Sequence, residues 1–212
     1  PGGTPAFAAD HAWLVACCTR LGELTGLARW TALAVEVVDA LLDRFWDGER
    51  GGVFTTGHGD ERLVARAKDV LDGAVPSAGS AAAGALLRLA ALTGEESYQA
   101  AGERIVAMAA PLLAEQPLAV ADLVDAAGLL AGRTEVVVAG DRPDLVAEVR
   151  RRWLPEAVLS WGERRPTPLW EGRKDGAAYV CRGFACRTPA TEAGTLASQL
   201  GTGPAGVGRA EG

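Results

Sequence analysis

Histidine is almost absent from this chain: there are two, His11 and His58, far apart in the sequence. The four cysteines, Cys17, Cys18, Cys181 and Cys186, include no C-x-x-C pair. So few nitrogen and sulfur donors do not support a zinc site, and no metal is expected. Four cysteines in 212 residues do not make a disulfide scaffold, so the expected compartment is the reducing cytoplasm. No uncharged apolar run reaches the roughly 18 residues of a membrane span. A basic excess is missing too, with 21 lysines and arginines against 27 acids and a net charge of −6, which weighs against nucleic acid as a partner. The turn Ala139-Gly140-Asp141-Arg142-Pro143 carries one glycine, and neither G-x-G-x-x-G nor G-K-S/T follows a strand here. Nucleotide binding at that turn is therefore not expected, and no other cofactor is indicated. The opening Pro1-Gly2-Gly3-Thr4-Pro5 lacks both methionine and a signal pattern, which reads as a fragment or a processed start.

What the chain does have is an internal repeat. Leu21-Gly22-Glu23-Leu24-Thr25-Gly26 is echoed by Leu89-Ala90-Ala91-Leu92-Thr93-Gly94, and at the same offset Trp30 falls on Tyr98, Val37 on Ile105 and Val38 on Val106. Each unit reads as a helix, a Thr-Gly turn and a second helix, the pattern of stacked helical hairpins that bury their faces against neighbours. Trp30, Leu33, Val37, Leu41 and Phe45 step by three or four along the second helix, as do Tyr98, Ala101, Ile105, Met108 and Leu112 in the second unit. Gly26 and Gly94 end the preceding helices by permitting a left-handed backbone. A fifth helix is expected from Leu118 to Ala131. Cys17 and Cys18 sit mid-helix, where adjacent side chains diverge, and read as small core residues.

The segment 1–132 is thus a helical-hairpin unit, interrupted by a long link over 46–76. Within that link, Gly51 to Thr56 and Arg62 to Arg66 read as two short strands around a Gly57-His58-Gly59-Asp60 turn. After Gly132 the pattern changes to a strand (Glu135 to Ala139), a helix (Pro143 to Leu154) and a strand (Ala157 to Ser160). That is a small βαβ unit with an expected right-handed crossover, opening a segment 133–200 that also holds two cysteines. The glycine-rich stretch 201–212 has no apolar period and is expected to be a disordered tail.

Several dense motifs identify a relative. They are Phe45-Trp46-Asp47 with Gly51-Gly52-Val53-Phe54, Lys68-Asp69-x-x-Asp72-Gly73-Ala74-x-Pro76-Ser77 with Ser80, and the closing Tyr179-Val180-Cys181 … Cys186 … Pro189. Over roughly Ala9 to Leu200 the chain resembles the thioredoxin domain-containing protein family whose animal members are called spermatogenesis-associated protein 20. Two positions depart from that pattern: Ala78-Gly79 stands where the family has Gly-Asn, and His11 stands where tyrosine is usual. The resemblance implies a thioredoxin-like domain covalently linked upstream. It also implies a helical part similar to six-hairpin glycosidases and N-acylglucosamine 2-epimerases, which close twelve helices into an (α/α)6 barrel around a sugar-sized cavity. The expected fold is accordingly mainly α, an incomplete (α/α)6 helical-hairpin barrel with a small C-terminal α/β appendix. An incomplete barrel is expected to expose an apolar face.

The resemblance points to a carbohydrate-like ligand bound or processed by the helical part, while leaving open whether any reaction is catalysed. Asp69 and Asp72 are the candidate catalytic carboxylates, since a pair of acids can share acid and base roles at a glycosidic bond. Asp10, Lys68, Ser77, Ser80 and Trp170 are candidate ligand contacts. Each has a structural reading beside it: Ser77 or Ser80 as a helix cap, Asp72-Gly73 and Pro76 as turn chemistry, and Asp10 as a carboxylate at a helix N-terminus. An imidazole at position 11 suits proton transfer, but tyrosine in relatives speaks against a catalytic His11. Cys181 and Cys186 read as structural thiols, free and close in space beside Tyr179 and Phe184. Redox exchange is the alternative, with Arg182 and Arg187 supplying a basic setting. Two rival functions stand beside ligand binding: a non-catalytic scaffold for the thioredoxin-like domain, and a redox module using the two cysteines.

Overall fold

The computed structural model describes residues 6–59, 65–183 and 185–201, and the statements below concern those residues. The chain is mainly helical, with a small four-stranded mixed sheet near its C-terminal end. Helices α1 (Ala8–Thr25) and α2 (Ala28–Phe45) form one hairpin, and α3 (Ala78–Thr93) and α4 (Glu96–Met108) form the next. The two turns are built alike. Gly26 (φ 73°) and Gly94 (φ 80°) adopt the left-handed conformation that a Cβ resists, and each returns its N–H to the residue four positions back, Gly22 O or Ala90 O. The Thr25 hydroxyl donates to Leu21 O at 2.6 Å and the Thr93 hydroxyl to Leu89 O at 2.8 Å, so the sequence repeat is also a structural one.

Helix α3 lies at the centre and is buried almost all round, packed against α1, α4 and α6 (Ala121–Gly132). A helix surrounded on every side needs small residues, and its first half, Ala78-Gly79-Ser80-Ala81-Ala82-Ala83, supplies them. The fifth helix begins at Ala121 rather than Leu118, because Pro117–Val120 form a 3-10 turn first. A short α5 (Ala110–Glu115) precedes that turn. In α2 the buried stripe is Thr31, Ala34, Val38, Leu41 and Phe45, so the N-terminal half is turned by one residue from the stripe through Trp30, Leu33 and Val37. The cause is close approach at Gly22, where a Cβ would meet Thr31 Oγ1 at 3.3 Å; small side chains face the seam and Leu33 is left exposed. Cys18 is buried and Cys17 exposed, so only one of the pair serves the core.

Among its described residues, the link over 46–76 shows no ladder of the expected β-hairpin. Within its described residues, Val53 makes a single bridge to Trp46, and residues 62–64 of the second expected strand lie outside the described residues. Gly51 and Gly52 both have positive φ (75° and 81°) and fold the chain back onto the end of α2, where Phe54 N donates to Phe45 O. Asp72 N reaches Ala119 O, tying the link to the 3-10 turn before α6. Leu71, Val75 and Leu118 are exposed there, Leu118 at 91 %.

The C-terminal part is a sheet of order β2-β1-β3-β4. Strand β1 (Thr134–Ala139) pairs in parallel with β2 (Ala157–Trp161) across α7 (Pro143–Arg150), the expected βαβ unit. Strands β3 (Ala177–Arg182) and β4 (Ala185–Cys186) add antiparallel, and α8 (Ala193–Leu200) follows. These last three elements carried no clear periodic signal. The pleat divides β1: Val136 and Val138 join Leu145, Leu196 and Leu200 on the α7/α8 side, while Val137 and Ala139 pack with Trp170 and Tyr179. The β2 edge seats against the hairpins, with Val158 on Ala91 and Leu92. No described helix is long and apolar enough to cross a membrane. The glycine-rich stretch beyond Gly201 lies outside the described residues.

Candidate functional site

The loop that enters α3 is a set of caps. Ser77 is the N-cap, its hydroxyl oxygen accepting from Ser80 N at 3.1 Å while its own proton goes to Ser80 Oγ at 2.9 Å. Asp72 spends both carboxylate oxygens on backbone: Oδ1 accepts from Ser77 N and Oδ2 from Asp122 N, each at 2.9 Å. It thereby ties the starts of two inner helices together. Burial pushes the Asp72 carboxyl up, but the N–H groups of Ser77 and Asp122 and the hydroxyls of Ser80 and Ser77 outweigh it, holding it below its usual value. The Asp69 side chain is exposed, and its backbone carbonyl accepts from Gly79 N. At position 79 a Cβ would approach that carbonyl to 3.1 Å, so a glycine here fits the close loop.

Lys68 lies apart from these caps. It pairs with Asp47 at 2.7 Å and donates to Gly51 O. Asp47 also accepts from Glu49 N at 3.0 Å and Arg50 N at 3.1 Å, so Phe45-Trp46-Asp47, Gly51-Gly52 and Lys68 form one folded unit. The Lys68 ammonium, followed by the Arg50 N–H, holds the Asp47 carboxyl at about 2. Because this value is depressed, the stabilisation is present above the unfolded aspartate range near 4 and is lost as pH falls through about 2. Compared with wild type, Asp47→Asn should therefore show a lower urea midpoint at pH 5, with the difference shrinking toward pH 2. A difference that stays constant over that window would exclude the ion pair as its source.

Asp10 accepts from Phe7 N at 2.8 Å at the start of α1, and His11 Nδ1 lies 3.0 Å from Phe7 O with its ring against Phe45. Trp170 is buried, its indole N–H donating to Ser160 Oγ at 2.8 Å within the core beneath the sheet. The predicted residues therefore do not converge: Ser77, Ser80 and Asp72 sit together, Lys68 joins Asp47, and Trp170 belongs to a separate core.

Lys68 and Asp47 line a cavity of about 570 Å³, and a second cavity lies on the face shared by α1, α3 and α6. The second has a volume of about 560 Å³, and its walls include Trp13, Arg20, Arg88, Asp122, Asp125 and Trp153. Trp13 and Trp153 are exposed at 42 % and 75 %. Burial raises the Asp122 carboxyl, and the neighbouring Asp72 and Asp125 raise it further. Two adjoining carboxyls are thus driven in opposite directions, Asp72 down and Asp122 up. Of this pair, only Asp122 lines the second cavity. The sequence signal for it was weak, an i, i+3 acid pair at the start of an otherwise apolar helix. Among the described residues no group of three or more His, Cys, Asp or Glu side chains is arranged to hold a metal ion.

No protein-family model matches the chain. Over 221 residues it is 28 % identical to human spermatogenesis-associated protein 20, covering 91 % of this chain and 28 % of that protein. This chain is similar to spermatogenesis-associated protein 20. The rat protein of that name is 26 % identical over 204 residues, covering 88 % of this chain and 26 % of its own length. An uncharacterized protein of Caenorhabditis elegans is 29 % identical over 199 residues, covering 87 % of this chain and 27 % of its own length. The chain thus spans about a quarter of the length of these curated relatives.

The closing cysteines overturn the expectation of free thiols, because Cys181 and Cys186 are bonded. The β3–β4 register places them directly opposite each other, with Gly183 (φ 52°) in the turn between. The expectation of thiols rested on compartment alone, whereas the tight hairpin brings the sulfurs into reach. Tyr179 is buried beneath the sheet, and Phe184 lies outside the described residues.

Proposed function

We propose that the face formed by α1, α3 and α6 binds a polyhydroxylated, carbohydrate-like ligand in a protein that also carries a thioredoxin-like domain and works in the cytoplasm. The observation that carries this reading is the make-up of one cavity of about 560 Å³: two exposed indoles, Trp13 and Trp153, beside the carboxylates Asp122 and Asp125 and the Arg20 guanidinium. Indole faces suit the apolar C–H faces of a sugar ring, and carboxylates accept from its hydroxyls. This replaces the Asp69–Asp72 pair as the seat of ligand contact, since Asp72 has both oxygens committed to backbone N–H groups. Burial, followed by the neighbouring Asp72 and Asp125, raises the Asp122 carboxyl above its usual value, the direction that suits a group donating a proton to a glycosidic or ring oxygen.

The test is a titration of the protein with a panel of neutral and acidic mono- and disaccharides, followed by calorimetry and tryptophan fluorescence. Trp13→Ala and Asp125→Asn should each weaken binding by on the order of tenfold or more, with little change in melting temperature. A panel in which no sugar binds, or variants that bind like wild type, would sink the reading.

A further inference from the structure

The Cys181–Cys186 disulfide has surroundings that a purely structural bridge does not need. Cys186 lies exposed on the short β4, whereas Cys181 on β3 is buried at 4 %. The Arg173 guanidinium faces both sulfurs, with Nη2 at 3.4 Å from Cys181 Sγ and 3.2 Å from Cys186 Sγ. Arg173 is itself held in place. Its Nε donates to Leu169 O at 3.1 Å, and its guanidinium carbon lies 4.7 Å over the Tyr179 ring. Tyr179 is pinned in turn, its hydroxyl oxygen accepting from Lys174 N at 2.8 Å. Both sulfurs and Arg173 line the wall of a cavity of about 260 Å³, so the bond can be reached from outside. The other charged groups on that cavity are Glu95, which precedes α4, Glu96 of α4, Arg133, and Glu135 of β1; Glu135 is neutralised by Arg133 at 2.7 Å.

We propose that Cys181–Cys186 is a reducible disulfide that exchanges with an external protein dithiol, Cys186 being the sulfur attacked and Cys181 the leaving thiolate held by Arg173. The dithiol's thiolate forms a bond to Cys186 Sγ, the Cys181–Cys186 bond breaks, and its electron pair stays on Cys181 Sγ beside the guanidinium. The dithiol's second thiol, as thiolate, then attacks its own sulfur in the mixed disulfide. Cys186 departs as a thiolate and takes up a proton. The chain gains two electrons as a dithiol, and the partner leaves as a disulfide, so the exchange balances. Attack at Cys186 follows from its exposure, because a thiol must approach along the S–S axis and Cys181 is shielded on its own side. A cation fixed beside the departing sulfur favours the thiolate, which accelerates its departure and keeps it reactive for the return step.

Dithiothreitol is the probe, added at neutral pH to the folded oxidised protein. Alkylation after quenching, with peptide mapping to separate these sulfurs from Cys17 and Cys18, reads the reaction. Both Cys181 and Cys186 should become alkylated without denaturant, and Arg173→Gln should slow reduction by on the order of tenfold while Arg173→Lys retains most of the rate. Alkylation of the reduced protein should also shift to higher pH in Arg173→Gln. Trapping tests the order of attack without relying on Arg173. With a monothiol such as glutathione in place of dithiothreitol, quenching and alkylation should find the mixed disulfide on Cys186 and the alkyl group on Cys181. A bond that opens only on unfolding, a rate indifferent to Arg173, or preferential capture of Cys181 would each overturn the proposal. Sugar binding at the α1/α3/α6 cavity is read separately, so failure of one reading leaves the other standing.

Discussion

Replacing Glu23 with alanine should destabilise the protein by about 3–5 kcal/mol, the usual loss when one partner of a buried ion pair is removed. Glu23 and Arg88 are both buried, at 9 % and 6 %, and Arg88 Nη1 donates to Glu23 Oε1 at 3.3 Å. Their role is to finish the sheet. Strand β2 is an edge, and its outward N–H and C=O groups need partners. Glu23 Oε1 accepts from Leu159 N at 3.1 Å, and Arg88 donates to Ala157 O at 2.7 Å and Pro155 O at 2.9 Å. Side chains of α1 and α3 thus stand where a further strand would, and they join the hairpins to the α/β part. Burial depresses the Arg88 guanidinium below its ordinary value, with Glu23 opposing that shift, so the carboxylate is what makes a buried arginine tolerable. Glu23→Ala should lower the melting temperature by on the order of 10 °C in calorimetry. Glu23→Gln, which keeps an acceptor for Leu159, should lose less. Equal losses in the two variants would show that the charge accounts for nearly the whole effect and the hydrogen bond to Leu159 for little.

Gly162→Ala should cost about 2–4 kcal/mol, through left-handed strain together with a clash that the backbone cannot relieve. Gly162 has φ 73°, and a Cβ built there would lie 2.7 Å from Gly26 O and 3.0 Å from Gly26 Cα. The loop after β2 docks directly on the first hairpin turn: Glu163 N donates to Gly26 O at 2.9 Å, and Glu163 Oε2 accepts from Ala28 N at 2.7 Å. Forcing these apart would also disturb Trp161, whose indole N–H donates to Glu23 O at 2.7 Å. Chemical denaturation of the purified variant measures the loss. A midpoint within error of wild type would mean that the two parts are held by other contacts.

What could be read from the sequence were the features set by local chemistry. The Thr-Gly turns at Gly26 and Gly94, the helices around them and the β1–α7–β2 unit rest on backbone preference and periodic burial, which neighbouring residues determine. The Ser77 cap was legible for the same reason. What escaped depended on distant partners. The one-residue turn of the α2 stripe arises from Gly22 of another helix meeting Thr31. Asp72 looked like half of an acid pair with Asp69 because the two lie three residues apart, but its oxygens are claimed by Ser77 and by Asp122, fifty positions along the chain. Trp170 looked available for a ligand until the sheet placed Ser160 beside its indole N–H. The cavity residues Trp13, Asp122, Asp125 and Trp153 come from segments that only packing around α3 brings together, and no spacing in the sequence encodes that meeting. The cysteine pair stood out as a motif, while its bonded state and its contact with Arg173 follow from a strand register and an approaching loop. Composition and periodicity thus determined the elements of this protein; burial and the competition for hydrogen-bond partners, which exist only once the elements pack, decided which polar groups were left free to act.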